Sequence, residues 1–420
     1  MTVDRLEVRG EDAVPTEGQP PLTPPPPTQN ESLLQTLQRA AKSNVRQYGM
    51  IVALVLIVIY FQTQTDGILL KPLNVTNLIM QNGYILILAI GMMMVIINGH
   101  IDLSVGSIAA FVGAAVGVMI VDWGLSWQLS LLAGIIIGGL IGAFQGYWIA
   151  YIGIPSFIVT LAGMLLFRGL ALVMLNGQSI APFPTGFRQM ASGFIPDIAA
   201  DDGLHKLTIA LGIAVSVVLA WTEWRTRKRR LFYGLHAGAM SWFIIRIALL
   251  ALVINAFTFR LAEYEGMPLV GILLISLIVI YSFLMNRSVM GRHIYAVGGN
   301  SKAAELSGIK TKRTTFWVFV NMGVLSALAG LIFVARLNAA TPRAGLNFEL
   351  DAIAAAFIGG ASAAGGVGTV VGAIVGGLVM GVMNNGMSLL DVRVDWQQAI
   401  KGIVLLGAVA FDVYNKKRSK

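Results

Sequence analysis

"FIVTLAGMLLFRGLALVML", Phe157 to Leu175, runs for nineteen residues with a single charge, Arg168. Wound as a helix it is long enough to cross roughly 30 Å of hydrocarbon. Comparable apolar runs recur from Tyr48 to Tyr414. Composition agrees with them: the 420 residues are 56% hydrophobic and 12% charged, and mean hydropathy is +0.74. A solvated globular surface excludes such values. Lipid in turn demands that each backbone polar group be satisfied internally. The runs are of helix length, so the fold class is all-α: a polytopic membrane bundle.

Spans are expected near 48–64, 77–98, 104–121, 128–151, 156–176, 206–223, 240–258, 267–285, 314–336, 350–367, 369–389 and 397–414, which makes twelve within a transmembrane domain of 48–414. Residues 1–47 differ in kind. "VPTEGQPPLTPPPPTQN" is polar and Pro-rich, so it cannot bury a core and is expected to be a disordered tail. It lacks the pattern of a signal peptide. Arg39, Lys42 and Arg46 precede the first span and argue for a cytoplasmic N-terminus. "RTRKRR" (Arg225 to Arg230), the 286–313 loop and the basic 415–420 terminus then all fall inside, so both termini are cytoplasmic. These clusters account for the net charge of +9 without nucleic acid as a partner. The chain has no cysteine, and its four histidines are scattered, which removes disulfides, thiolate catalysis and Cys-based zinc sites. "GGNSK" (298–302) has the wrong spacing for a phosphate loop, and neither HExxH nor GxSxG occurs. Any ATP-driven function must use a motor on another chain.

Glycine is abundant, with 47 residues, as in "AGIIIGGLIGAFQG". Small residues four apart let membrane helices approach closely, which explains most of them. Gly359, Gly360, Gly365, Gly366 and Gly368 are different, being crowded into ten residues. A helix is not expected to run through them unbroken, and irregular backbone at membrane depth lines a cavity or is wrapped in protein, so this segment is a candidate hinge or pathway wall. "IDLSVGSIAAFVG" (101–113) and "ELDAIAAAFIGG" (349–360) share an acidic residue followed by "AAF", a pattern that an internal duplication would leave and that chance would also produce.

Ionisable groups in or beside the spans are Asp102, Arg168, Arg246, Asp351 and Lys401. Arg168 is either lining a polar cavity or paired with Asp102 or with backbone carbonyls. Asp102 and Asp351 precede helical runs, where N-terminal capping is the expected role. Asn98, Asn384 and Asn385 supply uncharged hydrogen-bonding groups that suit a polyhydroxylated solute, or equally a bond between helices. Within the 286–313 loop, six Lys/Arg stand against one Glu. There Gly298-Gly299 marks a turn, Ser301 an N-cap, and "SKAAELSGI" a short amphipathic helix with Ala303, Leu306 and Ile309 on its apolar side. On the residues alone it is a basic loop anchored at lipid headgroups.

The same strip resembles the cytoplasmic coupling segment of the ribose/xylose-type permeases of bacterial ABC sugar importers, with its pattern "GR-IYA-GGN--AA-LSGI" present in full from Gly291 to Ile309. "IDLSVGS" (101–107), "PSFIVTLAGMLLFRG" (155–169), "ELDAIAAAFIGGASAAGGVGTVVGA" (349–373) and "NNGMSLL" (384–390) are similar to that family too. Ribose-type members have ten spans. The pair around "RTRKRR" is extra, and in this and in wording the chain resembles the D-xylose permease branch. The resemblance implies a transport subunit rather than an enzyme, moving a monosaccharide, D-xylose or a related pentose, across the bacterial cytoplasmic (inner) membrane by alternating access. It also implies a second permease copy, an ABC ATPase subunit carrying ATP-Mg, and an extracytoplasmic sugar-binding protein, with membrane lipid around the bundle and no cofactor on this chain. Coupling to the ATPase would fall to Gly291, Arg292, Tyr295, Gly298 and Gly299, with Asn300, Ala304, Glu305, Ser307 and Gly308. The candidate pathway comprises Asn98, Asp102, Ser104, Ser156, Thr160, Arg168, Asn384 and Asn385. Two other readings stay open: an ion-coupled secondary transporter working through Asp102 or Asp351, and a related ABC permease for branched-chain amino acids, against which the loop wording speaks. A membrane enzyme lacks any visible reacting constellation.

Overall fold

The apolar runs become helices because a helix pairs every internal N–H and C=O within its own segment. The computed structural model describes residues 45–197, 203–235 and 238–418. The expected Pro-rich tail up to residue 44 and the last two residues of the basic terminus lie outside them. The described chain forms α1 (Val45–Gln64), α2 (Pro72–Ile97), α3 (Val105–Val121), α4 (Trp127–Tyr147, prolonged by a π-turn to Ile152) and α5 (Ser156–Met174). Next come α6 (Thr185–Ser192), α7 (Lys206–Phe232), α8 (Met240–Ala262), α9 (Leu269–Arg287), α10 (Val289–Gly299) and α11 (Ser301–Leu306). The last four are α12 (Thr311–Leu337), α13 (Phe348–Ile358), α14 (Val370–Leu389) and α15 (Val394–Arg418).

Among the described residues, eight helices are long and apolar enough to span a membrane alone, while Gly49–Gln64 and α3 are apolar but shorter. The helices by themselves therefore fall short of the expected twelve. The span drawn over 350–367 ends as a helix at Ile358, because Gly360, Gly365 and Gly366 adopt left-handed φ angles. "RTRKRR" is no loop: it continues α7 as helix to Phe232. Ser301 does not cap α11; Asn300 does, its Oδ1 accepting from Ala303 N at 2.9 Å. The apolar side expected there is also rotated, with Ala304 buried and Leu306 84% exposed.

The core is built on α2 and α12, buried over 83% and 72% of their most apolar windows. They run antiparallel, Gly91 meeting Met322 at one level and Tyr84 meeting Phe333 further along. Around them the neighbours repeat with opposite sense: α12 packs on α3 and α4 as α2 packs on α13 and α14, and α5 lies on α3 as α15 lies on α13. The duplication suggested by 101–113 and 349–360 is thus matched in space by the inverted pairs α2–α5 and α12–α15. Contact is close enough to require glycine. A Cβ at Gly138 or Gly142 would collide with the backbone of Gly323 or Phe319 on α12.

Two connections sink into the bundle. Asn98 meets Thr315, and Ala109 meets Gly330, positions about 22 Å apart along α12 at 1.5 Å per residue, so the 98–104 link climbs to an α3 that starts deep inside. In the opposite direction, Ala340 lies against Gly117 and Gly345 against Gly106, about 16 Å apart on α3. The 338–347 loop thus returns through about half of the roughly 30 Å hydrocarbon before α13 begins. The N-termini of α3 and α13 meet there, since a Cβ at Gly106 would strike Gly345 O and the Glu349 carboxylate.

The hairpin of α7 and α8 stands apart. Its apolar windows are only 11% and 6% buried, and the two helices pack chiefly on each other. At its base the chain enters and leaves side by side: Phe194 bridges Pro268, Ile195 N donates to Met267 O at 3.1 Å, and His205 N to Ala262 O at 3.0 Å.

Gly142→Ala should lower the unfolding midpoint of the detergent-solubilised protein, because its Cβ meets α12 backbone. Gly169→Ala, on α5 with nothing within 4 Å, should be neutral or gain up to about 1 kcal/mol from helix propensity. Thermal unfolding of both variants checks the contrast.

Candidate functional site

The groups of the 286–313 strip separate onto two faces. Ser288 caps α10, accepting from Gly291 N at 3.1 Å, and Gly291 has no room for a Cβ against the carbonyls of Leu284 and Met285, so the chain can turn sharply from α9. On the inner face Tyr295 donates its hydroxyl to Gly368 O at 2.7 Å. Burial raises the phenol above its ordinary value, so it stays protonated as a donor. A Cβ at Gly298 would overlap Ile97 O and crowd Gly366 N, and Ala304 is buried. Arg292, Gly299, Asn300, Glu305, Ser307 and Gly308 point outward and are exposed. Gly308 ends α11 at φ +83°. Beside this outer face lies a 470 Å³ cleft between Tyr151, Glu305 and the Lys310–Arg313 run.

Of the five glycines expected to form a hinge, Gly365, Gly366 and Gly368 are held at that inner face, while Gly359 packs on α14. Gly366 N donates to Ile97 O at 2.8 Å, where the C-terminus of α2 meets α10. Gly365 packs on Gly298 O, and Gly359 on Gly372 of α14. Thr369 then caps α14 through Gly372 N at 3.0 Å. One knot of backbone thus joins α10 to the ends of α2, α13 and α14.

Of the candidate pathway residues, Asp102 and Ser104 form a cluster. Asp102 Oδ1 accepts from Ser104 N at 2.8 Å and from Ser104 Oγ at 2.6 Å, an Asx-type bond just ahead of α3 rather than a cap of its own. Gln145 completes it, its Nε2 donating to Ser104 Oγ at 2.9 Å. Ser156 touches the edge through Ile101 N at 3.5 Å, and Thr160 bonds its own helix at Ser156 O. Arg168 does not join Asp102; its Nη1 donates to the Ala344 carbonyl of the return loop. Asn98 donates to Thr315 Oγ1 at 2.9 Å. Asn385 and Asn74 exchange two amide bonds of 2.8 and 3.0 Å, a tie between α14 and α2. Asp351 is not a cap either. It is buried and paired with Lys401 at 3.0 Å, and Asn384 hydrogen-bonds it.

That ion pair borders a 530 Å³ cavity between α13 and α15, away from α10 and α11. Tyr84, Arg343, Asn347, Gln397 and Gln398 also line it. Tyr84 is fixed by stacking on Phe348, with ring centroids 3.9 Å apart. The lining offers paired donors and acceptors beside an aromatic ring, a surface matched to vicinal hydroxyls. Sequence reasoning passed over Tyr84, Gln145, Arg343, Gln397 and Gln398. Gln145 stood in plain view as the one amide in "AGIIIGGLIGAFQG". Tyr84 lies midway along α2, Arg343 in the return loop, and Gln397 and Gln398 near the start of α15, and none carries a signal until the fold brings them together.

A family model described as branched-chain amino acid transport system / permease component matches residues 74–409. The chain is 41% identical over 375 residues to the xylose transport system permease protein of Haemophilus influenzae, covering 89% of this chain and 98% of that one. It is 42% identical over 376 residues to the protein of the same description in Escherichia coli K12, covering 90% and 94%. To the ribose import permease protein of Bacillus subtilis it is 35% identical over 343 residues, covering 82% and 85%. No solved structure matches the chain.

Removing Lys401 leaves the Asp351 carboxylate buried and unpaired, a loss of roughly 3–5 kcal/mol for a fully buried pair. Lys401 is 22% exposed in its side chain, so the loss should be at the low end or below. Lys401→Met should therefore lower the unfolding midpoint, and Lys401→Met with Asp351→Asn should recover most of it. A double-mutant cycle by thermal unfolding measures both.

Proposed function

Since this chain belongs to the family of branched-chain amino acid transport system permease components, we infer that it is the membrane-spanning subunit of an ATP-driven importer of a monosaccharide, D-xylose foremost. It is a transport subunit, not an enzyme, and sits as a multi-pass protein in the bacterial cytoplasmic membrane. The substrate follows the relatives named for xylose and ribose transport rather than the family's broader description. Two copies form the path between two ATPase subunits that carry ATP-Mg, and an extracytoplasmic binding protein delivers the sugar to the far side. Both termini and the α10–α11 end face the cytoplasm.

The observation that carries this reading is the two-faced coupling element. Its outer face presents Arg292, Gly299, Glu305, Leu306 and Ser307 at one end of the bundle. Its inner face is wedged by Tyr295 and Gly298 into the glycine knot. A push on the outer face has no slack to absorb it, because Gly298 already touches Ile97 O and Gly366. It is passed to α2, and through the left-handed Gly365 and Gly366 to α13 and α14. Those helices wall the 530 Å³ cavity, which we assign to the sugar on its way through. The ligand and ATP act by favouring different arrangements of this linkage. Asp351, neutralised by Lys401, is poorly placed to serve as the free carboxylate of an ion-coupled transporter.

The test is the complex reconstituted with its ATPase subunit and xylose-loaded binding protein. Gly299→Trp with Leu306→Glu alters only exposed positions, so the chain should fold, yet sugar-stimulated ATP hydrolysis and xylose uptake should fall at least about tenfold, the equivalent of about 1.4 kcal/mol of interface. Uptake that continues without the ATPase subunit, or stops when the proton gradient is collapsed with ATP maintained, would replace this reading with secondary transport. In the same assay Gln398→Leu should raise the half-saturating xylose concentration about fivefold, the ~1 kcal/mol of one hydrogen bond, with basal ATP hydrolysis unchanged.

A further inference from the structure

The α7–α8 hairpin has its own cavity, separate from the sugar path and the coupling face. Near the basic end of α7, a 240 Å³ pocket opens between the two helices, lined by Glu223, Thr226, Arg227, Arg230, Trp242 and Arg246 among others. Three arginines face it against one glutamate. Arg246 Nη2 donates to Glu223 Oε1 at 3.2 Å, and Arg227 Nη2 donates to Gly238 O at 3.0 Å, which fixes its guanidinium on the rim. Neighbouring cations are likewise held by rings, Arg225 over Trp221 at 3.8 Å and Lys228 over Trp224 at 5.5 Å. Such fixing separates the pocket from a fringe of loose snorkelling side chains.

Directly beyond Glu223, which borders both, the inter-helix groove continues as a narrow apolar slot of about 40 Å³ between Ser216, Leu219, Ala220, Leu250, Ala251 and Ile254. Cationic pocket and apolar slot thus follow one another along the hairpin, in the order of a phosphate headgroup and its acyl chain. α7 runs from the far end, where His205 lies, towards the end that carries α10 and α11, so the pocket opens on the same side as the coupling face.

We propose that this hairpin carries a binding site for one anionic phospholipid of that leaflet, its phosphate taken by Arg227 and Arg230 and one acyl chain laid in the slot beside Ala220 and Ala251. Arg offers a fixed fork of donors that fits phosphate in two places at once. An arginine-lined pocket of this kind favours an anionic over a zwitterionic headgroup.

The full chain in nanodiscs of phosphatidylcholine is titrated with phosphatidylglycerol, and bound lipid is read by native mass spectrometry. Arg227→Gln with Arg230→Gln should weaken phosphatidylglycerol binding about twenty-five-fold, about fivefold for each charge removed. Lys312→Gln with Arg313→Gln, which removes the same charge at the same end, should leave it within about twofold if the site is local rather than a diffuse field. Ala251→Leu, which fills the slot and leaves the arginines in place, should also weaken diacyl lipid several-fold and keeps the test open should the double arginine variant not fold. Inorganic phosphate and glycerol 3-phosphate, the free-anion arms, should not compete at matched concentration. Equal losses in both charge-removal variants, full competition by either free anion, unchanged lipid binding in Ala251→Leu, or loss of ATPase-subunit assembly with lipid binding intact would each overturn the proposal.

Discussion

Hydrocarbon supplies no hydrogen bonds, and an unsatisfied peptide group there costs several kcal/mol. This chain nevertheless takes two irregular stretches, 98–104 and 338–347, deep into its bundle. Everything around them serves to wrap their backbone. Asp102 turns back onto Ser104 N, Arg168 reaches the Ala344 carbonyl, and the Ile180–Ala340 bridge closes the mouth of the return loop with N–H···O bonds of 3.0 Å in both directions. Asn338 and Asn347 take the left-handed conformation at either end of that loop, which lets α12 stop and α13 start without a glycine. The glycines of α4 and α14 belong to the same logic, since only helices that touch backbone to backbone leave lipid no way in.

How much of this could be read from the amino acids depends on whether a signal is local. The membrane class and most spans follow from runs of apolar residues, and the family resemblance from fourteen matched residues between Gly291 and Ile309. The five-glycine break was also legible as irregular backbone, although the span drawn through it was too long. Partnerships were not. Arg168 lies far in sequence from Ala344, and Lys401 from Asp351; nothing in either local stretch points to the other. The α11 cap moved by one residue because Asn and Ser are both good caps. Its buried side turned from Ala303 to Ala304 because the neighbouring Gly298–Gly366 contact sets the docking angle.

The two inverted halves also explain why polar residues gather where they do. Two short helices, α3 and α13, begin head to head, and each N-terminus presents unpaired N–H groups and a partial positive charge. Acidic side chains collect there: Asp102 before α3, Glu349 and Asp351 in the first turn of α13. The 530 Å³ cavity lies on the flank of this junction. The glycine knot lies at the other ends of the helices involved, at Ile97 and Gly359 to Gly368. Cavity and knot therefore occupy opposite ends of shared helices, which makes a short mechanical path between them.

The base of the α7–α8 hairpin bears on how such chains diverge. Entry and exit are stitched by the Phe194–Pro268 bridge, so excising everything between them would leave two cut ends already adjacent and hydrogen-bonded. The core would lose little packing and no crossing order, since a hairpin adds an even number of passes. Gene segments encoding such a module can be gained or shed in one event without re-evolving the remainder. Lineages of this family are then free to differ in how they address their lipid surroundings while the transport machinery is inherited intact.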